Sequence, residues 1–165
     1  MTSNNTNFNK VREFHDAFGL VVNEKSEDKL FDNEKMIKLR QDLIAEEFAE
    51  LQSAINDRNM VEVGDALADI LYVTYGAGVS LGIDLDKAFR LVHESNMSKL
   101  CKSEEEAVKT VKWYLENQSV YDSPAYRVCV TNPNLWVVYN KSSGKILKSI
   151  NYAPVNLGYL NIVDK

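Results

Sequence analysis

The chain has 165 residues, enough for one domain with a substantial core and an appendage. A hydrophobic share of 45% and a charged share of 26% are those of a globular protein, which excludes a disordered chain. A formal net charge of −5 argues against a protein that grips nucleic acid by its phosphates, which takes a basic stripe, but leaves room for a small phosphorylated ligand held through a metal ion.

Residues 1–7 are polar and Asn-rich and read as a flexible tail. They contain neither an apolar signal core nor an Arg-rich amphipathic pattern, so the expected location is cytoplasmic. From Phe8 the spacing of Val11, Phe14 and Phe18 predicts a helix that Gly19 closes. Residues 23–33 are charged and read as a loop. The stretch EKMIKLRQDLIAEEFAELQSAIN follows, with Ile37, Ile44, Phe48, Leu51 and Ile55 forming the apolar stripe of a long amphipathic helix that ends near Asn56–Asn59.

Met60 to about Leu81 predicts a third helix, apolar on nearly every side and therefore expected to be largely buried. Its three acids, Glu62, Asp65 and Asp69, count against a membrane span. Asp84 suits the cap of a fourth helix with its body at 87–97, and Ser103-x-x-Glu106 before an apolar run is a capping box opening a fifth. Beyond Asp122 the segments YRVCV, LWVVYN and ILKSI, separated by NPN and KSSGK, predict two or three short strands. Cys101 and Cys129 lack CxxC spacing and read as reduced thiols. The expected organisation is a mainly α, four- to five-helix bundle over 8–120, with a strand-containing extension over 121–165.

The chemistry lies in the placement of acids. Glu46, Glu47 and Glu50 sit within a turn and a half of the second helix, with Glu47 at roughly 80° from the centre of the apolar stripe. Acids on an amphipathic helix are usually a solvated face, so this cluster alone is weak. On the third helix Glu62, Asp65 and Asp69 fall within roughly 60° of one another on an otherwise apolar surface. Carboxylates in an apolar setting need a cationic partner, protonation or a metal ion; the third helix itself contains no basic residue, and the second adds three more acids. A hard divalent cation, Mg²⁺ with Mn²⁺ as a second choice, fits carboxylate oxygens. Asn96 and Lys99, three residues apart at the end of the fourth helix, offer a hydrogen-bonding amide and a point charge for phosphate. There is no GxxxxGK[ST] or GxGxxG loop, so a nucleotide site here would be metal-led.

EEFAE at 46–50, VEVGDALADILYVTYGAG at 61–78, GIDLDKAF at 82–89 and VHESNMSKL at 92–100 resemble the MazG-like, all-α NTP pyrophosphatase superfamily, which includes phosphoribosyl-ATP pyrophosphohydrolases and dimeric dUTPases. The resemblance covers roughly residues 8–116. It implies a Mg²⁺-dependent hydrolase that cuts (d)NTP to (d)NMP and pyrophosphate, working as a homodimer or homotetramer. It implies Glu47 and Glu50 as metal ligands, Glu46 and Glu47 as the catalytic carboxylates near the attacking water, and Asn96 and Lys99 facing the nucleotide phosphates. For the second acidic pair it leaves two registers open, Glu62/Asp65 or Asp65/Asp69. Two alternatives stand beside it: a phosphoribosyl-ATP pyrophosphohydrolase, and a non-catalytic helical oligomerisation or binding module.

Overall fold

A computed structural model describes residues 6–161 of the chain. Residues 1–5 of the expected tail lie outside the described residues, Thr6 caps the first helix and Asn7 begins it. Helix α1 (Asn7–Phe18) starts where the Thr6 hydroxyl accepts a hydrogen bond from the Asn9 amide. It ends at Gly19, whose φ of 66° and amide bond to Asp16 close the helix as the sequence predicts. Helices α2 (Glu34–Asn56), α3 (Met60–Ser80), α4 (Leu85–Met97) and α5 (Glu104–Asn117) follow. A 3₁₀ turn at Asp28–Asp32 occupies the expected loop. The chain is mainly α, with one small sheet at its C-terminal end.

The residues group into two compact units. One comprises the described residues up to Phe89 together with those from Leu157, and the other is Arg90–Asn156.

In the first unit α1 and α2 both pack on α3. Only three residues, 57–59, connect α2 to α3, so the two helices run antiparallel. The Asn59 side chain caps α3 by accepting from the Val61 and Glu62 amides at 3.2 and 3.4 Å. Residues 21–23 tie down the far end of α3: the Ser80 hydroxyl donates to Val21 O at 3.2 Å and the Asn23 amide group to Ser80 O at 2.6 Å. Gly82 follows with φ 65°, and a Cβ there would lie 2.3 Å from the Lys25 carbonyl, so this crossing admits only glycine. Asp84 caps α4 as expected, accepting from the Lys87 amide at 3.0 Å.

The expectation that α3 is largely buried is corrected. Ala66, Gly76, Gly78, Val79 and Ser80 are buried, but Val61, Leu67, Leu71 and Tyr72 are exposed. The α2 stripe is likewise half open, with Phe48 and Ile55 exposed. Two neighbouring helices can cover only part of a helix that is apolar all round.

In the second unit α5 packs on a two-stranded antiparallel sheet of β1 (Pro124–Val128) and β2 (Trp136–Asn140). Pairing runs from Pro124 with Asn140 to Val128 with Trp136. Cys101 adds a bridge to Trp136, with reciprocal amide bonds of 2.9 Å. The core is Cys101, Ala107, Tyr114, Val138 and Leu147. The segment ILKSI forms one isolated bridge, Ile146 with Tyr139, and no strand, so the sheet has two strands. The capping box is present in modified form: Ser103 Oγ accepts from the Glu106 amide at 3.2 Å, while the Glu106 carboxylate reaches back to the Lys102 amide at 2.9 Å. Around the sheet's open end, Asn140 Nδ2 lies within 3.1 Å of Asp122 Oδ1, Ser142 Oγ and Ser143 Oγ, and its Oδ1 accepts from the Ser123 amide at 2.9 Å. Both cysteines are free thiols. No single helix among the described residues is long and apolar enough to cross a membrane.

Candidate active site

The α2–α3 hairpin sets the acids. Helical spacing puts Glu46, Glu47 and Glu50 on the same stretch of α2, and the short 57–59 connection folds α3 back so that its acids come up beside them. Glu47 is the focal residue. It is half-buried, and its Oε2 is inaccessible and has no hydrogen-bond partner. Burial, and then the like charges of Glu50, Asp69, Glu46 and Asp65 in that order, raise its pKa above the ordinary carboxylate value. Four acids from two helices therefore share one field at Glu47.

Glu62 stands outside that set of contributors. It lies on the first turn of α3 and is exposed. Asp65 is exposed too, and Asp69 is half-buried. The sequence reading made the α3 acids the buried ones and the α2 cluster the weaker evidence; the structure reverses this, because the buried, unpartnered oxygen belongs to Glu47 on α2. Among the described residues none of the six acids takes part in an ion pair, while Asp42 and Glu94 elsewhere do. As the side chains stand, no group of three or more His, Cys, Asp or Glu among the described residues is arranged to hold a metal ion. The donor set is nonetheless carboxylate oxygen throughout, with one oxygen buried and unsatisfied, which suits a hard divalent cation.

Asn96 and Lys99 belong to the second unit, and the structure joins them to each other. Lys99 Nζ donates to Asn96 Oδ1 at 2.7 Å. Lys99 also lines a cleft of that unit, together with aromatic residues of α5 and the segment after β2.

Sequence reasoning gave no chemical role to a buried basic pair in the first unit. His15 and Arg40, 2% and 8% exposed, both approach α3 at Gly76. His15 Nδ1 lies 2.9 Å from Val21 O, which fixes the ring. Burial, and to a lesser degree the Arg40 charge, lower the His15 pKa below its ordinary value, against the raising effect of the Val21 bond. The available signal was Gly76 itself, a small residue on the apolar helix opposite two long polar ones.

Residues 11–96 match the family model described as phosphoribosyl-ATP pyrophosphohydrolase, a span that contains α2, α3 and nearly all of α4. The chain is also 31% identical to the uncharacterized protein L479 of Acanthamoeba polyphaga mimivirus, over 87% of this chain and 91% of that one. The matched span holds Glu47 together with Glu46, Glu50, Asp65 and Asp69, and the chain belongs to the phosphoribosyl-ATP pyrophosphohydrolase family, within the MazG-like all-α NTP pyrophosphatase superfamily.

Proposed function

We propose that the chain is a Mg²⁺-dependent nucleoside triphosphate pyrophosphohydrolase, converting (d)NTP and water to (d)NMP and pyrophosphate in the cytoplasm. The observation that carries this reading is the buried, partnerless Oε2 of Glu47 inside a field of four further acids. Such an arrangement is costly without a cation, and a triphosphate brings chelated Mg²⁺ with it. Glu47, Glu50, Asp65 and Asp69 would hold the metal, with Glu62 left out of the set. Bound there, Mg²⁺ (or Mn²⁺) would offset phosphate charge as a Lewis acid. Glu46, or Glu47, takes the proton of the attacking water as general base. The water oxygen bonds to the α-phosphorus, the bond from that phosphorus to the oxygen bridging to the β-phosphate breaks, and pyrophosphate leaves with that oxygen. Asn96 and Lys99 serve the phosphates.

The exposed apolar surfaces of α2 and α3 favour a homodimer or homotetramer, and the acidic balance speaks against nucleic acid as a partner. A second reading, hydrolysis of phosphoribosyl-ATP, is favoured by the description of the matching family model. It uses the same acids on a bulkier substrate.

The test is to incubate the protein with Mg²⁺ and a panel of NTPs, dNTPs and phosphoribosyl-ATP, and to assay pyrophosphate and orthophosphate separately. Pyrophosphate from NTPs or dNTPs, abolished in Glu50→Gln, is the expected result. Turnover of phosphoribosyl-ATP alone would favour the second reading. Orthophosphate as the first product would overturn α–β cleavage, and no turnover of any substrate would leave a non-catalytic helical module.

A further inference from the structure

The unit Arg90–Asn156 carries an open cleft with a volume of about 650 Å³, within the range of small-molecule sites. It lies outside the acidic set, and all its lining residues fall beyond the family-matched span. In a chain of net charge −5 its lining contains three lysines, Lys99, Lys145 and Lys148, and no carboxylate. Among the described residues none of the three is in an ion pair, whereas Lys38, Lys109 and Lys112 each pair with an acid four positions away.

Lys99 is bonded to Asn96 Oδ1, and the other two are held against rings. Lys145 Nζ sits 5.2 Å from the centroid of Tyr121, and Lys148 Nζ 4.6 Å from that of Tyr152. Such contacts place a cation without neutralising it. The rings form a braced wall: Trp113 meets Tyr114 edge-on at 5.1 Å, Tyr114 meets Tyr121 edge-on at 5.4 Å, and the Tyr114 hydroxyl accepts from the Lys148 amide at 3.1 Å. Trp113 keeps 41% of its surface open. The carboxylates close to the lining are each occupied: Asp122, next to Tyr121, by Ser123 Oγ, Asn140 Nδ2 and Ser142 Oγ, Glu116 by Lys112, and Glu106 by Ser149 Oγ and the Lys102 amide.

We propose that this cleft binds a nucleotide, its planar base against the Trp113–Tyr121 wall and its phosphates at Lys145 and Lys148. Inorganic phosphate would leave the rings unused, and a nucleoside would leave the ammonium groups unmatched, so the combination selects a phosphorylated aromatic molecule. The nucleotide has two sources, the substrate of the acidic site or a separate effector.

The experiment uses the full chain in EDTA, where the carboxylates of the acidic site repel a triphosphate and only a metal-independent site can bind it. ATP, adenosine and inorganic triphosphate are titrated while tryptophan fluorescence is followed, with Trp113→Phe to assign the signal and calorimetry in parallel. Saturable ATP binding is expected, at least tenfold tighter than either fragment. The Lys145→Gln/Lys148→Gln variant should lose at least tenfold in affinity with an unchanged circular dichroism spectrum, and Glu50→Gln should bind as the parent does. No saturable ATP binding in EDTA, or binding that the lysine variant leaves intact, overturns the proposal. In the presence of Mg²⁺, a KM raised in the lysine variant at unchanged kcat identifies the substrate as the occupant. An unchanged KM, with loss of activation or inhibition by an added second nucleotide, identifies an effector.

Discussion

Lys99 holds the side-chain oxygen of Asn96 at 2.7 Å, so the amide is turned with its oxygen toward the ammonium and its NH₂ away. The pair is therefore an oriented unit: Asn96 fixes the lysine, and the amide's two donors stay available. If the pair serves the substrate phosphates, Lys99→Gln should raise KM for a nucleoside triphosphate tenfold or more. Asn96→Ala should raise it less, since the charge survives but its aim is lost. Steady-state pyrophosphate release measures both.

We propose Asp65/Asp69 as the working register of the α3 acids, on the strength of the field at Glu47. Asp69 is the second-largest Coulombic contributor after Glu50, and Glu62 is absent from the set. Asp65→Asn and Asp69→Asn should each reduce kcat at least a hundredfold, and Glu62→Gln less than fivefold. In EDTA at neutral pH, Glu50→Gln should melt no lower than the parent, because it removes a like charge next to a buried carboxylate. Added Mg²⁺ should raise the parent's Tm and leave that of Glu50→Gln nearly still. A large loss in Glu62→Gln with Asp69→Asn active would assign the other register.

His15 gives the first unit an acid-sensitive component. Its folded-state pKa lies below the unfolded value of about 6.5, so the native state favours the neutral ring and the unfolded state binds more protons as pH falls. The His15 contribution is therefore full above about pH 6.5 and is lost on acidification through the lower, folded-state pKa. Thermal melts from pH 8 to pH 5 should show Tm falling with pH, with a shallower slope in His15→Gln.

Two glycines of α3 should answer oppositely to alanine. A Cβ on Gly64 meets nothing within 4 Å, so Gly64→Ala should stabilise by about 1 kcal/mol through helix propensity. A Cβ on Gly76 lies 3.2 Å from both Arg40 Nη1 and His15 Nε2. The His15 ring is anchored to Val21 and cannot retreat, so Gly76→Ala should destabilise by about 1 kcal/mol or more despite the same propensity gain. Denaturant melts of the two variants check the contrast.

Leu67 and Leu71, 48% and 58% exposed on α3, head the apolar surface that a second copy would cover. Light scattering on the parent should report a dimer or tetramer, and Leu67→Glu/Leu71→Glu a monomer of retained helicity. A monomeric parent would overturn the self-association reading.

The helices were legible because local signals agreed with one another. Gly19 closes α1, Asp84 caps α4 and Ser103 caps α5 where the sequence places them. The acids were legible as a group, since helical spacing alone puts Glu46, Glu47, Glu50, Asp65 and Asp69 on two neighbouring helices. Their burial was not. Hydropathy says how much surface α3 wants covered, and says nothing of whether the cover comes from α1, α2 or another copy. ILKSI has the composition of a strand, yet a strand also needs an unoccupied edge in register, and only Ile146 finds one. The lysine–aromatic cleft was hidden because its walls are distant in sequence: Trp113 and Tyr121 flank the end of α5, and Lys145 and Lys148 follow the sheet.

Asn140 has a consequence beyond joining the sheet's open end. Its Nδ2 meets Asp122 Oδ1 at 3.0 Å, and the same Asp122 oxygen also accepts from Ser142 Oγ at 2.6 Å and Ser123 Oγ at 3.0 Å. A carboxylate in place of that amide, as in Asn140→Asp, would keep nearly the same shape but lose the donor and face another carboxylate. The hairpin thus depends on the identity of one atom: a nitrogen there shields Asp122, and an oxygen would set two negative charges against each other across the space the hydrogen bond holds.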